Sequence, residues 1–462
     1  MKYIKENGKY ILLLTLFTIW AAFFTLPISD LTWLLHENVS SVWNFLTSTT
    51  SAPIISTLAL LFSKMRIVQV ITQAILTVCL FVTMRNIINK KNDTILYIGI
   101  FIFLLINSDI LLNGYISING LCKTFIPMVL ILIIINYIVK DNLYKLKKPI
   151  IFILGLIASS FSLEYALALN VTLIFLSYRK KISNEKDTSL RILLMGSLIG
   201  LALLISYYLA AHINPFGHQI SANLLHTLVP NIYSINFMLS LIEIALLLFS
   251  CVRVYKRTDI KDNAKIILSI SIITLYGLCH LLSNNDTLNY IVLIFYNIFS
   301  LYILLNLNNS TSFKDKIKMY YLFKIVYFIV LAFTPYKDIG NLLFIVILEI
   351  LTVLELVNFT LPNNFLKLPW ILVTIIILLS NCYLSKMEFD RRRQMDIYIK
   401  RELSCGKEHI LIANKYKNLE EFYLPKNDEE KALYAKYLSI PFYGKYEIII
   451  NDKDNSKNSI KS

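Results

Sequence analysis

Few residues in this chain can do chemistry, and most of them stand between long apolar runs. Asp30 follows the first such run, and Glu37 comes seven residues later, about two helical turns on and so on nearly the same face. A carboxylate at that place suits either of two jobs, capping the start of a helix or moving a proton during bond formation. A second polar stretch, NSDILLNGYISINGLCKTFIP, carries Asp109, Gly114, Tyr115, Gly120, Lys123 and Pro127 between two short apolar segments. Short segments broken by glycine suit backbone that dips into a membrane and is lined by protein or water. Glu164 opens another apolar run, where an ionisable side chain either faces a cavity or reaches back to the interface. His212, His218 and His226 fall within fifteen residues, but spacings of six and eight match no usual metal box. They suit structural or polar-lining roles. Glu243, His280, Lys324 and Glu349 lie deeper in apolar sequence, each suited to a relay or to a neighbouring helix, and the sequence does not pair them. No metal-protease, phosphate-loop, dinucleotide or serine-hydrolase motif is present.

The elements that must hold these groups are membrane helices. Apolar residues make up 56% of the 462 and charged residues only 16%, against roughly 25% charged in soluble domains. Mean hydropathy is +0.61. A soluble enzyme, a disordered regulator and a secreted disulfide scaffold are excluded, and the six cysteines lie singly. A crossing helix needs about 20 residues. That ruler predicts an all-α polytopic integral membrane protein of about thirteen transmembrane helices, near 10–27, 67–84, 92–110, 124–139, 149–162, 163–178, 190–211, 232–250, 265–283, 288–305, 319–333, 339–357 and 369–384. Pro53–Phe62 is too short to cross and is expected at the interface. With this register, 24 Lys and Arg fall in the cytoplasmic segments and 4 in external loops (Lys64, Arg66, Lys123 and Lys337). Lys and Arg favour the cytoplasmic side, so the N-terminus is expected inside. The net charge of +15 then reflects loops facing anionic lipid, not a nucleic-acid partner.

Thirteen crossings put the C-terminus outside, although Arg391, Arg392 and Arg393 lie close behind the last span. The expected division is a transmembrane domain over 1–384 and a small α/β extracytoplasmic module over 385–462. The first external loop, 27–66, carries Leu and Val at helical spacing with Trp33 and Trp43, and is expected as an amphipathic helix on the outer leaflet. In the tail, Met387–Ser404 reads as a charged helix stopped by Gly406, His409–Ala413 and Tyr446–Ile450 as strands, and Asn427 as the cap of a further helix. The run Gly196–Gly200 is expected to be a helix-packing face.

The order of parts resembles the bacterial multi-span GT-C glycosyltransferases, in particular the O-antigen-glucosylating enzymes and their less characterised kin. The resemblance rests on one carboxylate after the first span, an interfacial helix, and a Gly/Tyr-bearing second loop ending in Phe125-Ile126-Pro127. It also rests on the acidic opening of the sixth span and on FYGKY (Phe442–Tyr446), similar to a Tyr-Tyr-Gly ending. It covers about 1–180 and the tail. The acidic pair common in that family reads Ser29-Asp30-Leu31 here, and a polar Gly-Arg element is replaced by STTSAPI. The resemblance implies a hexosyltransferase that takes a sugar from a polyprenyl-phosphate carrier and gives it to an envelope glycan or glycolipid at the outer face. It implies Asp30 as catalytic base; Glu37, on nearly the same face, is placed to orient the acceptor or hold a divalent cation, and Glu164 is a further candidate for a catalytic carboxylate. Asp109, Tyr115, Lys123, Arg66 and His218 would then contact substrate, the two cations facing the lipid phosphate. Two other readings join or move the same lipid-linked sugars: a polysaccharide polymerase, and a lipid-linked oligosaccharide flippase or other secondary transporter.

Overall fold

The computed structural model describes residues 2–25, 27, 30, 52–89, 92–106, 108–182, 187–210, 237–255, 260–282, 286–308, 310–333, 339–360, 367–407, 409–413, 423–425, 427–439 and 447–451. The amphipathic helix expected in the first external loop, the three-histidine loop and FYGKY lie outside them. Described helices are α1 (Lys2–Ala22), α2 (Pro53–Lys64), α3 (Arg66–Asn89), α4 (Asp93–Leu104), α5 (Ser108–Ile116), α6 (Ile118–Val139), α7 (Lys148–Ala158) and α8 (Leu163–Ile182). They continue with α9 (Thr188–Ala210), α10 (Phe237–Tyr255), α11 (Ile260–Leu282), α12 (Asp286–Leu307), α13 (Thr311–Phe333), α14 (Leu343–Thr360) and α15 (Lys367–Ser404).

Among the described residues, five stretches are long and apolar enough to cross a membrane: Arg66–Asn89, Ile118–Val139, Thr188–Ala210, Gly340–Phe359 and Lys367–Ser404. The pair α4 and α5, bent by 101°, makes a sixth if it is counted as one span. Their outer faces stay apolar, with Leu203 57% and Ile376 60% exposed, whereas the inner faces of α6 and α14 are fully buried. Helices apolar on the outside as well as the inside need a lipid solvent. The chain is a helical membrane protein. Shorter apolar helical stretches include Gly8–Ala22, Ile242–Val252, Lys265–Leu278 and Ile294–Leu307. α7 has 11 residues and reaches only about 16 Å, because Ser159 to Ser162 interrupt the span expected over 149–162.

Local chemistry explains the element ends. Asn92 caps α4 by accepting from the Thr94 amide, and proline stands in the first turn of α2 and α7, where its missing N–H costs nothing. α7 and α9 pack backbone to backbone. A Cβ added at Gly196 would lie 2.2 Å from the Phe152 carbonyl oxygen, and one at Gly155 would lie 2.4 Å from that of Leu193. The Ser159 and Ser197 hydroxyls hydrogen-bond across the seam at 2.5 Å. Gly196–Gly200 is thus the packing face that its composition suggests. Gly196→Val is expected to force these helices apart and destabilise the fold by about 1–3 kcal/mol or more, read as a lower unfolding midpoint in detergent, whereas Gly8→Val, in open space, should leave it unchanged.

The last span and the charged helix after it are one element. α15 runs 38 residues without interruption, about 57 Å, nearly twice the hydrocarbon thickness, since no Gly or Pro lies between Trp370 and Ser404. Its far half carries a separate small core of Met395, Ile399, Ile410, Ile412, Tyr423, Leu424, Tyr434, Ala435 and Leu438. Strands β1 (His409–Ala413) and β2 (Glu447–Asn451) pair in parallel, Ile410 opposite Ile448, and α16 (Asp428–Tyr437) is capped by Asn427. Arg392 fastens this core: its Nε meets Asp396 at 3.0 Å, a guanidinium nitrogen donates to the Tyr423 carbonyl, and the group lies 5.2 Å from the rings of Tyr423 and Tyr434. Tyr423 in turn hydrogen-bonds Thr25 at the end of α1, at 2.6 Å. The C-terminal elements are thereby tied to the segment that carries Asp30.

Candidate active site

The site is built where α1 ends. Its last carbonyls lack intrahelical donors, and Arg66, opening α3, supplies them: one terminal nitrogen lies 2.7 Å from the Phe24 oxygen and 3.5 Å from that of Ala21. The other nitrogen donates to Gln69 at 2.6 Å. A cation at a helix C-terminus is also favoured by the macrodipole. Beyond this anchor the chain turns, the Asp30 amide donating to the Pro27 carbonyl at 3.0 Å, and delivers Asp30 into the protein with no solvent exposure.

Asp30 meets the broken segment between α5 and α6. The backbone there leaves the α-helical pattern twice, with wider turns at Leu112–Ile116 and Leu121–Phe125 on either side of Ser117. Ser117 is extended (φ −64°, ψ 151°), and its hydroxyl accepts from the Gly120 amide at 2.8 Å. The break frees backbone donors: Asp30 Oδ2 accepts from the Ile118 amide at 2.8 Å, and the Asn119 amide also points to the carboxylate. Gly120 is required by space, because a Cβ would fall 1.9 Å from the Asn113 carbonyl oxygen. Gly114 and Gly340 let this segment press on the turn before α14, each within 2.8 Å of the other's backbone if given a Cβ.

Tyr115 holds the broken segment from inside. Its hydroxyl bonds Thr77 at 2.8 Å, its carbonyl accepts from Gln73 at 2.5 Å, and its ring packs against Trp20, Phe24, Phe103 and Phe125. Expected among the substrate contacts, it is fully buried, as Asp30 is. The aromatic density of α1, α4 and α6 is the signal for that cage.

The other Asp30 oxygen, Oδ1, is buried and meets no hydrogen-bond partner among the described residues. Burial dominates its chemistry and raises the carboxyl to about 7, the Ile118 and Asn119 amides and then the Arg66 charge pulling the other way. In the unfolded chain it titrates near about 4. Between these values the folded protein holds the extra proton, so Asp30 makes stability fall as pH rises from about 4 to about 7, with no further change above. Asp30→Asn should flatten that part of the stability–pH curve, measured by thermal unfolding across the interval.

The remaining candidates are dispersed. Asp109 is half-buried in the first turn of α5, and Lys123 is half-buried in the wider turn of α6, five residues past the Asp30 contact. Glu164 is buried in the first turn of α8, beside Tyr165, whose ring packs on Tyr327 and Phe344; no hydrogen bond or ion pair joins it to Asp30. Arg66, expected to face a lipid phosphate, gives its terminal nitrogens to α1 and Gln69. Glu37, the expected cation ligand, and His218 lie outside the described residues. Among the described residues no group of three His, Cys, Asp or Glu side chains converges on a metal position. A cavity of about 910 Å³ sits elsewhere, lined by Val139, Arg179, Lys180 and Lys316. Val139 and Ile118 end α6 about 30 Å apart, so this cavity and Asp30 occupy opposite ends of the molecule.

Fold and site together define a helical membrane protein with a buried carboxylate held at a broken helix. No known protein family, curated protein or solved structure matches the chain.

Proposed function

We propose that the protein is a membrane glycosyltransferase of the GT-C type, moving a sugar from a polyprenyl-phosphate carrier to an envelope glycan or glycolipid at the outer face. The observation that carries this reading is Asp30: buried, fixed through one oxygen by backbone amides, its other oxygen unengaged among the described residues, and its carboxyl raised to about 7. A base works best when its pKa lies near the operating pH. In the reaction the acceptor hydroxyl oxygen attacks the anomeric carbon and its proton passes to Asp30 Oδ1. The bond from that carbon to the phosphate oxygen breaks, and polyprenyl phosphate leaves. The Ile118 and Asn119 amides hold the carboxylate in place. Lys123 is the cation nearest in sequence to that contact and is suited to face the lipid phosphate.

In this reading the protein has thirteen spans, an internal N-terminus and an external C-terminal module over 385–462, as the asymmetry of 24 to 4 cations supports. Thr25 bonded to Tyr423 supports a tail seated beside the site, as an acceptor platform. A cysteine at Ser439, on a background without reactive native cysteines, is expected to react with an impermeant reagent in intact cells; labelling only after permeabilisation would put the tail inside.

The function itself is tested with membranes given a polyprenyl phosphate bearing radiolabelled hexose. Label should pass to the envelope-glycan fraction with wild-type protein and stay on the carrier with Asp30→Asn. The partly buried Lys324–Glu349 pair favours a second reading, a flippase or other secondary transporter. That reading predicts label that crosses the bilayer while still on its carrier.

A further inference from the structure

Glu243, Lys324 and Glu349, which the sequence leaves unpaired, come together in the helix bundle. Lys324 of α13 lies 3.0 Å from Glu349 of α14. Glu243 of α10 is 4% exposed and feels both of these charges. Glu349 stands nine residues into the span Gly340–Phe359, about 14 Å from its start and so near the middle of a hydrocarbon core about 30 Å thick.

Two carboxylates share one ammonium here, leaving one uncompensated negative charge in a medium where an isolated ion is very costly. Among the described residues, the titratable and charged groups around Glu243 are Tyr296 of α12, Tyr321 and Lys324 of α13, and Glu349 of α14, with Tyr276 of α11 behind Tyr296. Lys324 is the only cation among these described groups, and Glu349 already engages it. Tyr321 is also occupied, its hydroxyl 2.8 Å from Ser300. Tyr296 differs. It is 2% exposed, its ring stacks on Tyr276 at 3.9 Å, and its hydroxyl turns toward Glu243 without completing a well-formed hydrogen bond. An unfinished donor–acceptor beside a surplus carboxylate is the arrangement that one added proton completes. Among the described residues only two carboxylates and this hydroxyl converge, a poor set for a metal ion.

We propose that Glu243, Lys324, Glu349 and Tyr296 form an exchangeable proton-binding site within the membrane, holding one proton between the two carboxylates and the tyrosine hydroxyl. The proton adds to a carboxylate oxygen of the cluster, giving a neutral carboxylic acid beside a neutralised Lys324–Glu349 pair. The site is separate from Asp30 and does not rest on the transferase reading.

Infrared difference spectroscopy of the full-length protein in lipid vesicles, titrated from acid to alkaline pH in the absence and presence of sodium, tests this. Asp30→Asn serves as background, removing the fully buried carboxyl of the other site. The expected result is a protonated-carboxyl C=O band that titrates independently of sodium. Glu243→Gln and Glu349→Gln should each abolish it, because either leaves one carboxylate for one ammonium. Lys324→Met should enlarge it, since two carboxylates then lack a partner. A band unchanged in both Gln variants, or one displaced by sodium, would overturn the proposal. So would the absence, in the Asp30→Asn background, of any carboxyl band titrating above the ordinary carboxylate range, a result that does not depend on whether the cluster variants fold.

Discussion

Asp30→Asn is expected to reduce sugar transfer about 10²–10⁴-fold while the protein still inserts and folds. Asparagine keeps the shape of the side chain, and its carbonyl oxygen can still accept from the Ile118 amide, so the broken helix keeps its cap. What it loses is the basic oxygen, Oδ1, which no described residue satisfies. Capping alone predicts a different outcome, a stability loss of up to about 1 kcal/mol with transfer largely kept. The two roles also separate in pH. As the base, Asp30 must be ionised, so wild-type transfer should climb as pH rises through about 7 and level off above it. The steady-state rate of labelled transfer, measured across that interval for wild type and Asp30→Asn, decides between them. Near-wild-type transfer by the variant would make Glu164 or Asp109 the next candidate.

The largest expected effect on stability is at the other end of the bundle. Glu355 of α14 is 1% exposed, and Lys316 of α13 reaches it at 3.0 Å while also donating to the Ile88 carbonyl at 3.2 Å. The Tyr320 hydroxyl adds a longer contact at 3.4 Å. Lys316→Met keeps most of the stem but leaves a buried carboxylate with only that tyrosine, and should cost about 3–5 kcal/mol. Adding Glu355→Gln removes the stranded charge, and the double variant should recover most of the loss. Denaturation midpoints of the two singles and the double form a cycle. A Lys316→Met midpoint equal to wild type would show that the pair carries no such energy.

Local signals in the sequence are legible where distant ones are not. Asn427 ahead of three acidic residues marks α16, and the structure shows its side chain accepting from the Glu430 amide. Small residues at Gly196–Gly200 mark a helix seam, because only their size permits backbone contact. Glycines around Tyr115 point to irregular backbone, found as the break at Ser117. Partners far apart in sequence leave no such mark. Nothing near Arg66 shows that it closes the end of α1, some forty residues earlier. Asp93 likewise gathers Lys9, Arg85 and Lys367 from three other helices, at 2.6, 2.7 and 3.4 Å. Such groups meet only once the helices are packed. The reach of α15 is hidden for a different reason: polarity changes sharply near Ser385, but polarity does not end a helix that has neither Gly nor Pro to break it.

The central claim is that this protein adds a sugar to an envelope glycan, and the mass of that glycan tests it whichever donor and acceptor are used. Envelope glycans from cells lacking the protein are compared with those from cells complemented by wild type or by Asp30→Asn. The account predicts that deletion removes one hexose-sized unit per glycan or repeat, that wild type restores it, and that Asp30→Asn does not. Shortened chains of unchanged repeat mass, or identical glycans in all three strains, would contradict it.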